Sequence, residues 1–138
     1  SETASQKPSF RSAWRNRQFG LVLCDNFYEP SYESGKAVRW KIERADKQPF
    51  GIACLWDRWT DPSSGELVVS FSMLTVNADE HPVMNQFHKP GDEKRTPVII
   101  SPEYHGAWLG AQLDEAQDWM SWHHMPSLKA SASPRIAL

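Results

Sequence analysis

Positive charge is not in excess in this sequence: 15 lysines and arginines stand against 17 aspartates and glutamates, a net charge of −2. Whole-molecule attraction to nucleic acid or to an anionic surface is therefore excluded, and any affinity for phosphate must come from a local patch. Cysteine is scarce, with two in 138 residues. Cys24 and Cys54 both lie inside apolar runs, which favours two buried reduced thiols, with a single disulfide between them as the alternative. No apolar run approaches the ~20 residues of a membrane-spanning helix, and no secretory leader pattern opens the chain. A cytoplasmic protein without a membrane partner is the expectation. An initiating methionine is missing too: the chain opens Ser1-Glu2-Thr3, which reads as a processed, trimmed or excised start. Also missing are the P-loop, the dinucleotide-binding glycine fingerprint, HExxH and CxxC. His123 and His124 are adjacent, and adjacent side chains diverge on a helix or strand. No metal site and no cofactor are expected.

What the sequence does have is apolar and aromatic: 40% hydrophobic residues, 12% aromatic, and Trp at 7. That is enough to bury a core and argues against disorder. The length fits a single domain over residues 1–138. Residues 7–17 (KPSFRSAWRNR) predict a short helix with Pro8 in its first turn. Lys7, Arg11 and Arg15 form a basic stripe beside the pair Phe10 and Trp14. FGLVLC (19–24) has strand length, and Asn26 then suits a tight positive-φ turn into FYEP (27–30). In 37–43 Val38, Trp40 and Ile42 alternate with Arg39, Lys41 and Glu43, as in a half-buried antiparallel strand. FGIACLW (50–56) and LVVSFSMLT (67–75) are further strands, the latter with Leu67, Val69, Phe71 and Met73 on one face. A polar loop (80–95) precedes a short strand PVII (97–100). Ser101-Pro102-Glu103 starts a helix, a second short helix is expected around 113–121, and the tail from Ser127 reads as poorly ordered. The fold class is α+β: a mainly antiparallel β-sheet or barrel-like core with a few short helices.

Two residues stand out chemically. Glu29 sits among Phe27, Tyr28 and Pro30, where a carboxylate with a raised pKa could exchange protons near neutral pH. The alternative is an exposed strand end or a partner for a nearby arginine. His88 lies in the polar loop between Phe87 and Lys89-Pro90-Gly91, and suits proton transfer, the alternative being a solvated loop histidine. Thr75, alone, carries little signal. The basic helix and the stretch Trp56-Asp57-Arg58-Trp59 invite single-strand binding by stacking, but Trp14, Trp40 and Trp56 have core spacing; Trp59, beside a turn, is open.

Taken in order, Glu2-Thr3, PSFRSAW (8–14), LVLCDNFYEP (21–30), PFGIACLWDRW (49–59), SFSMLTVNAD (70–79), FHKPGDEKRTPVII (87–100) and SPEYHGAWL (101–109) resemble the SOS-response-associated peptidase (SRAP) family over roughly residues 2–109. The resemblance implies a DNA-damage-response protein. In such proteins an N-terminal cysteine, exposed by autocatalytic methionine removal, attacks the ring-opened abasic site in single-stranded DNA, first as a Schiff base and then as a thiazolidine. Glu29 matches the acid of the family's DGFYEW-like block, which orients or deprotonates that amine. His88 matches the histidine before its R-x-P element, here Arg95-Thr96-Pro97, and would assist ring opening and release. Arg95 and Thr75 match residues at the DNA backbone, and Lys7, more loosely, a basic DNA contact. The partner implied is single-stranded DNA with abasic sites, bound by a monomer.

The departures are specific. The N-terminal cysteine and the N-A-R element that would end just before Ser1 are absent, so this domain reads as truncated at its N-terminus. Cys24, inside a strand and without a free α-amine, cannot substitute. Asn26 replaces the usual glycine, and Pro30 the usual tryptophan. The chain would thus carry half of an active site. Two other readings remain at this level: a conventional peptidase, for which no Ser-His-Asp or Cys-His pattern is present, and a non-catalytic single-strand-binding module. Sequence upstream of Ser1 separates them.

Overall fold

The computed structural model describes residues 8–135. In chain order the elements are α1 (Pro8–Arg15), β1 (Phe19–Cys24), β2 (Phe27–Ser31), β3 (Val38–Arg44), β4 (Phe50–Thr60), β5 (Leu67–Met73) and β6 (Thr75–Asn77). They continue with β7 (Arg95–Pro97), β8 (Ile99–Ile100), α2 (His105–Leu109), α3 (Leu113–Asp118) and β9 (Leu128–Ala132), with 3-10 turns at Met84–Gln86 and Pro102–Tyr104. All strand pairs are antiparallel. They form a sheet ordered β1-β4-β5 with β8 also on β4, a second sheet β2-β3-β9, and the pair β6-β7. The class is the expected α+β, but among the described residues these sheets do not close into a barrel.

Strand β4 organises the molecule because both of its faces are buried along its first half. One face, with Ala53 and Leu55 beside Phe19 of β1, packs on Ala13 and Trp14 of α1 and on Trp108 of α2. Trp108 is fully buried, stacks on Phe19 at 4.5 Å, and donates its indole N–H to the Gly20 carbonyl at 2.8 Å, so a large apolar ring is buried with its one donor satisfied. The other face, Phe50 and Ile52 with Val22 and Cys24, packs on Ile42 of the second sheet and on Met84 and Phe87. Gly51 is obligatory here: a Cβ would come within 2.8 Å of Leu21 and 3.0 Å of the His105 ring. No helix among the described residues is long and apolar enough to cross a membrane.

Several expectations shift. The helix expected over 7–17 spans Pro8–Arg15. Its end is a Schellman turn, with Gln18 N–H on the Ala13 carbonyl, Arg17 N–H on that of Trp14, and Arg17 at φ 54°. Asn26 is not among the positive-φ residues: β1 and β2 belong to different sheets, so no hairpin turn is required between them. The run 67–75 and the run 97–100 are each split at an apolar residue, Leu74 and Val98. These two bond across to Ala53 of β4, Leu74 N–H to the Ala53 carbonyl at 2.9 Å and Ala53 N–H to the Val98 carbonyl at 2.8 Å. Part of the tail expected to be loose is a strand: β9 (Leu128–Ala132) takes the free edge of β3 and buries Leu128, backbone pairing that composition does not report. Ser101 precedes a 3-10 turn and makes no side-chain cap, while the helix expected over 113–121 is Leu113–Asp118, capped by Gln112 and Glu115. Both thiols are free, Cys54 buried and Cys24 half-buried.

Candidate functional site

Strand β2 presents alternate faces, and its pairing with β3 sorts them. Phe27 lies opposite Ile42 and Glu29 opposite Trp40, whereas Tyr28 and Pro30 lie opposite Lys41 and Arg39. Glu29 therefore belongs to the apolar face that closes the second core, and Tyr28 and Arg39 to the outer face, where the Arg39 guanidinium sits 4.5 Å above the Tyr28 ring. A groove of about 610 Å³ is lined by Tyr28, Glu29, Pro30, Arg39 and Arg135.

The loop between β6 and β7 brings His88 to Glu29. Buried Met84 and Phe87 anchor it, Phe87 against Trp40 at 6.0 Å between ring centroids. His88 N–H reaches the Pro30 carbonyl at 3.3 Å, and Lys94 Nζ donates to the His88 carbonyl at 3.1 Å. His88 sits at φ 74°, a left-handed conformation that costs energy for a non-glycine residue and must be held by these contacts. Its Nε2 is 2.6 Å from the Arg95 carbonyl. A carbonyl can only accept, so Nε2 carries the hydrogen. That tautomer leaves the Nδ1 lone pair facing Glu29, with Nδ1 and Oε2 3.9 Å apart and side-chain exposures of 25% and 19%. Burial pushes the Glu29 carboxyl above its ordinary value, and the neighbouring His88 partly offsets this. A carboxyl raised by burial, next to an imidazole in a fixed tautomer, is a pair that can hold and pass a proton.

The same loop brings Arg95 to Thr75. Arg95 Nε donates to Thr75 Oγ1 at 2.9 Å and Nη2 to the Thr75 carbonyl at 2.8 Å, while Nη1 bonds Glu93. Arg95 thus links three functions of one loop: its carbonyl sets the His88 tautomer, its side chain fixes Thr75, and Glu93 shares its charge. Four of the five residues singled out by sequence, Glu29, His88, Arg95 and Thr75, are drawn together through two direct contacts and the backbone of Arg95. Lys7 lies outside the described residues. Trp14 is buried and Trp40 and Trp56 half-buried, while Trp59 is 58% exposed. The exposed cations Arg11 and Arg15 flank the buried Trp14 on α1. Among the described residues no group of three or more His, Cys, Asp or Glu side chains is placed to hold a metal.

Sequence reasoning missed His81. It is only 4% exposed, and its Nδ1 accepts the N–H groups of Val83 and Met84, each at 3.1 Å. It therefore caps the 3-10 turn on which the His88 loop is built, and its edge packs on Trp122 at 4.9 Å. Histidine is not among the usual capping residues, so His81-Pro82 carried no recognisable signal.

The profile of the family described as SOS response associated peptidase (SRAP) matches residues 1–134. The chain belongs to the SRAP family. Among solved structures, a protein from Bordetella bronchiseptica is similar at 41% identity and a TM-score of 0.90, over 98% of this chain and 64% of that one. A protein from Bacteroides thetaiotaomicron shares 23% identity at a TM-score of 0.79, over 95% of this chain and 55% of that one. A phage-related protein from Bordetella bronchiseptica shares 19% at 0.66, over 97% and 62%; at such identities the last two report the fold alone. No curated protein matches this chain. The SRAP chain spans less than two thirds of the length of each of these structures. Membership carries an association with the SOS response, a DNA-damage theme, and the Glu29–His88 pair supplies this SRAP chain with a place where proton transfer can occur.

Proposed function

We propose that this SRAP chain forms the acid–base half of a site that captures abasic sites in single-stranded DNA. The nucleophile is an N-terminal cysteine that is not among residues 1–138. The observation that carries the reading is the contact of a desolvated carboxyl with a histidine whose tautomer is fixed by a backbone carbonyl. Glu29 as carboxylate accepts a proton from the attacking ammonium, and the free amine adds to the aldehyde carbon of the ring-opened sugar. Loss of water from that adduct needs a proton on the departing oxygen, which the Glu29–His88 pair can return. The cysteine sulfur then adds to the imine carbon and closes a thiazolidine. Neither Cys24 nor Cys54 fits the nucleophile: both thiols are pushed up by burial, and neither has an α-amine.

The test is an oligonucleotide with one abasic site, run on a denaturing gel. The 138-residue chain is expected to give no heat-stable shifted band, and a product of the same gene that begins with cysteine is expected to give one. A stable band from the short chain, or none from the cysteine-bearing product, overturns the reading.

The DNA path is tested separately by salt. If Arg95 tracks a phosphate, anisotropy titrations of single-stranded DNA should show a log–log salt slope that falls by about 0.7 in Arg95→Ala. His88→Ala should leave the slope unchanged, because its ring is turned to the Arg95 carbonyl and the Glu29 carboxyl rather than to a phosphate. Equal slopes for wild type and Arg95→Ala would confine Arg95 to holding Thr75 and Glu93.

A further inference from the structure

Three arginines among the described residues are half-buried: Arg39, Arg44 and Arg95. Two of them are neutralised within the fold, Arg44 by Asp46 and Arg95 by Glu93. Arg39 has no carboxylate partner among the described residues. Its Nε donates to the Ser133 carbonyl at 2.8 Å, and its guanidinium lies 4.5 Å from the centre of the Tyr28 ring. No hydrogen bond among the described residues occupies its Nη1 or Nη2. A guanidinium drawn partly out of water without an anion is uncommon. The fork of donors left open has the shape that takes two oxygens of one phosphate.

The backbone fixes where these donors stand. Arg39 lies opposite Pro30 in the β2–β3 register. Pro30 has no N–H to offer β3, and its carbonyl takes the His88 N–H at 3.3 Å. On the side away from β2, the Arg39 carbonyl accepts the Ser133 N–H at 2.8 Å, one residue past the end of β9. Main chain and side chain of Arg39 are thus both tied to Ser133. The next two residues, Pro134 and Arg135, line the 610 Å³ groove together with Tyr28, Glu29 and Pro30. Arg135 is exposed and adds a second positive charge. Glu29, the one acid of this lining, does not neutralise Arg39: no ion pair joins them, and His88 is the charge that acts on the Glu29 carboxyl.

We propose that Arg39, steadied by Tyr28 and Ser133, holds a phosphodiester of the single strand whose abasic nucleotide is bound at Glu29 and His88. It is a positioning residue: it fixes the strand and takes no part in proton transfer. The assignment rests on single-stranded DNA being the substrate of that site. The groove favours a strand over a small anion. It is cationic at Arg39 and Arg135 and apolar along Tyr28, Pro30 and Val38, which suits a chain that alternates phosphate with sugar and base. Arg39 is also better placed for a phosphate than Arg95, whose guanidinium is already bonded to Thr75 and Glu93.

Anisotropy titrations with an oligonucleotide carrying a tetrahydrofuran abasic analogue test it, because that analogue has no aldehyde and reports binding without capture. Arg39→Ala should weaken binding by about tenfold and lower the log–log salt slope by about 0.7. An arginine that only braces Ser133 would leave the slope where it is. Arg39→Lys should keep the slope yet bind more weakly than wild type, since an ammonium carries the charge but not the fork. Inorganic phosphate is the second probe, and at the phosphate concentration where unlabelled oligonucleotide competes fully it should displace little. Equal slopes for wild type and Arg39→Ala overturn the proposal, as does the absence of any single-strand binding by wild type. Full displacement by inorganic phosphate at that concentration makes the groove a small-anion pocket and also overturns it. A slope that falls in Arg39→Ala, in a protein that gives no covalent band with a natural abasic strand, supports Arg39 as the strand contact and overturns only the capture chemistry.

Discussion

Glu29→Gln is expected to slow covalent capture of an abasic single strand by about 10²–10⁴-fold, the usual cost of losing one general acid–base group, in a protein that carries the N-terminal cysteine. The same substitution should stabilise the fold at neutral pH. The Glu29 carboxyl is raised above its ordinary 4.5 by burial, so the native state holds the proton more tightly than the unfolded one. The stability this provides is full below 4.5 and is lost as pH rises through the folded value. Glutamine keeps the shape and never ionises, so the advantage of the variant should open above pH 4.5 and then level off. Denaturant melts at pH 4 and pH 8 read the stability, and single-turnover crosslinking reads the rate. Unchanged rates would make Glu29 a structural carboxylate. A stability gap independent of pH would mean that the buried charge is not what costs the fold. Slower chemistry in a more stable fold is the trade expected of a functional group held in a poor solvent.

His81→Ala should destabilise the protein by ~2–4 kcal/mol, roughly 10 °C in Tm. Two N–H groups, those of Val83 and Met84, lose their acceptor at about 1–3 kcal/mol each when buried, and a gap opens beside Trp122. The substitution should also flatten the acid limb of the stability profile. Burial holds the His81 imidazole below its ordinary 6.5, and burial does the same for His124, whose Nε2 donates to the Trp119 carbonyl. Both are neutral in the fold at pH values where the unfolded chain is protonated. Stability is therefore complete above 6.5 and falls as pH drops through that value toward the folded pKa. Wild type should lose stability between pH 7 and pH 5.5, and His81→Ala should lose less. Because the capped turn carries Met84, Phe87 and then His88, the His88 ring signals should broaden or shift in the variant by NMR. A variant as stable as wild type with unmoved His88 signals would remove His81 from the support of the site.

Much of the fold was legible because its elements are written in local terms. FGLVLC and FGIACLW have the length and continuous apolarity of strands, and they are β1 and the first part of β4; β4 is buried on both faces there, whereas Leu23 of β1 is exposed. VRWKIE alternates, and β3 is half-buried on both its faces. PSFRSAWR has helical spacing with proline in its first turn, and it is α1. The α+β class follows from counting such elements. What local pattern could not give was where an edge is already taken. β9 is ordered because β3 has a free edge beside it, and the split at Leu74 and Val98 exists because both bond to Ala53 from far along the chain. β5 reads as an ordinary half-buried strand, yet its apolar side is bare, because burial depends on what lies above a face and not on the face itself.

The site divides in the same way. Sequence by itself determined which residue types are present and, through the order of blocks shared with the SRAP family, which of them to watch: Glu29, His88, Arg95 and Thr75. It could place a carboxylate in an apolar block and a histidine in a loop, since each is a statement about neighbours in the chain. Only the tertiary structure decided that they meet. The β2–β3 register turns Glu29 toward the core and Tyr28 away from it, the Arg95 carbonyl chooses the His88 tautomer, and His81 holds the turn between them. The first is a choice between two faces of one strand, and the other two are contacts within one loop whose geometry exists only once that loop is folded onto the core. Such choices cost nothing until the chain folds and are fixed together when it does.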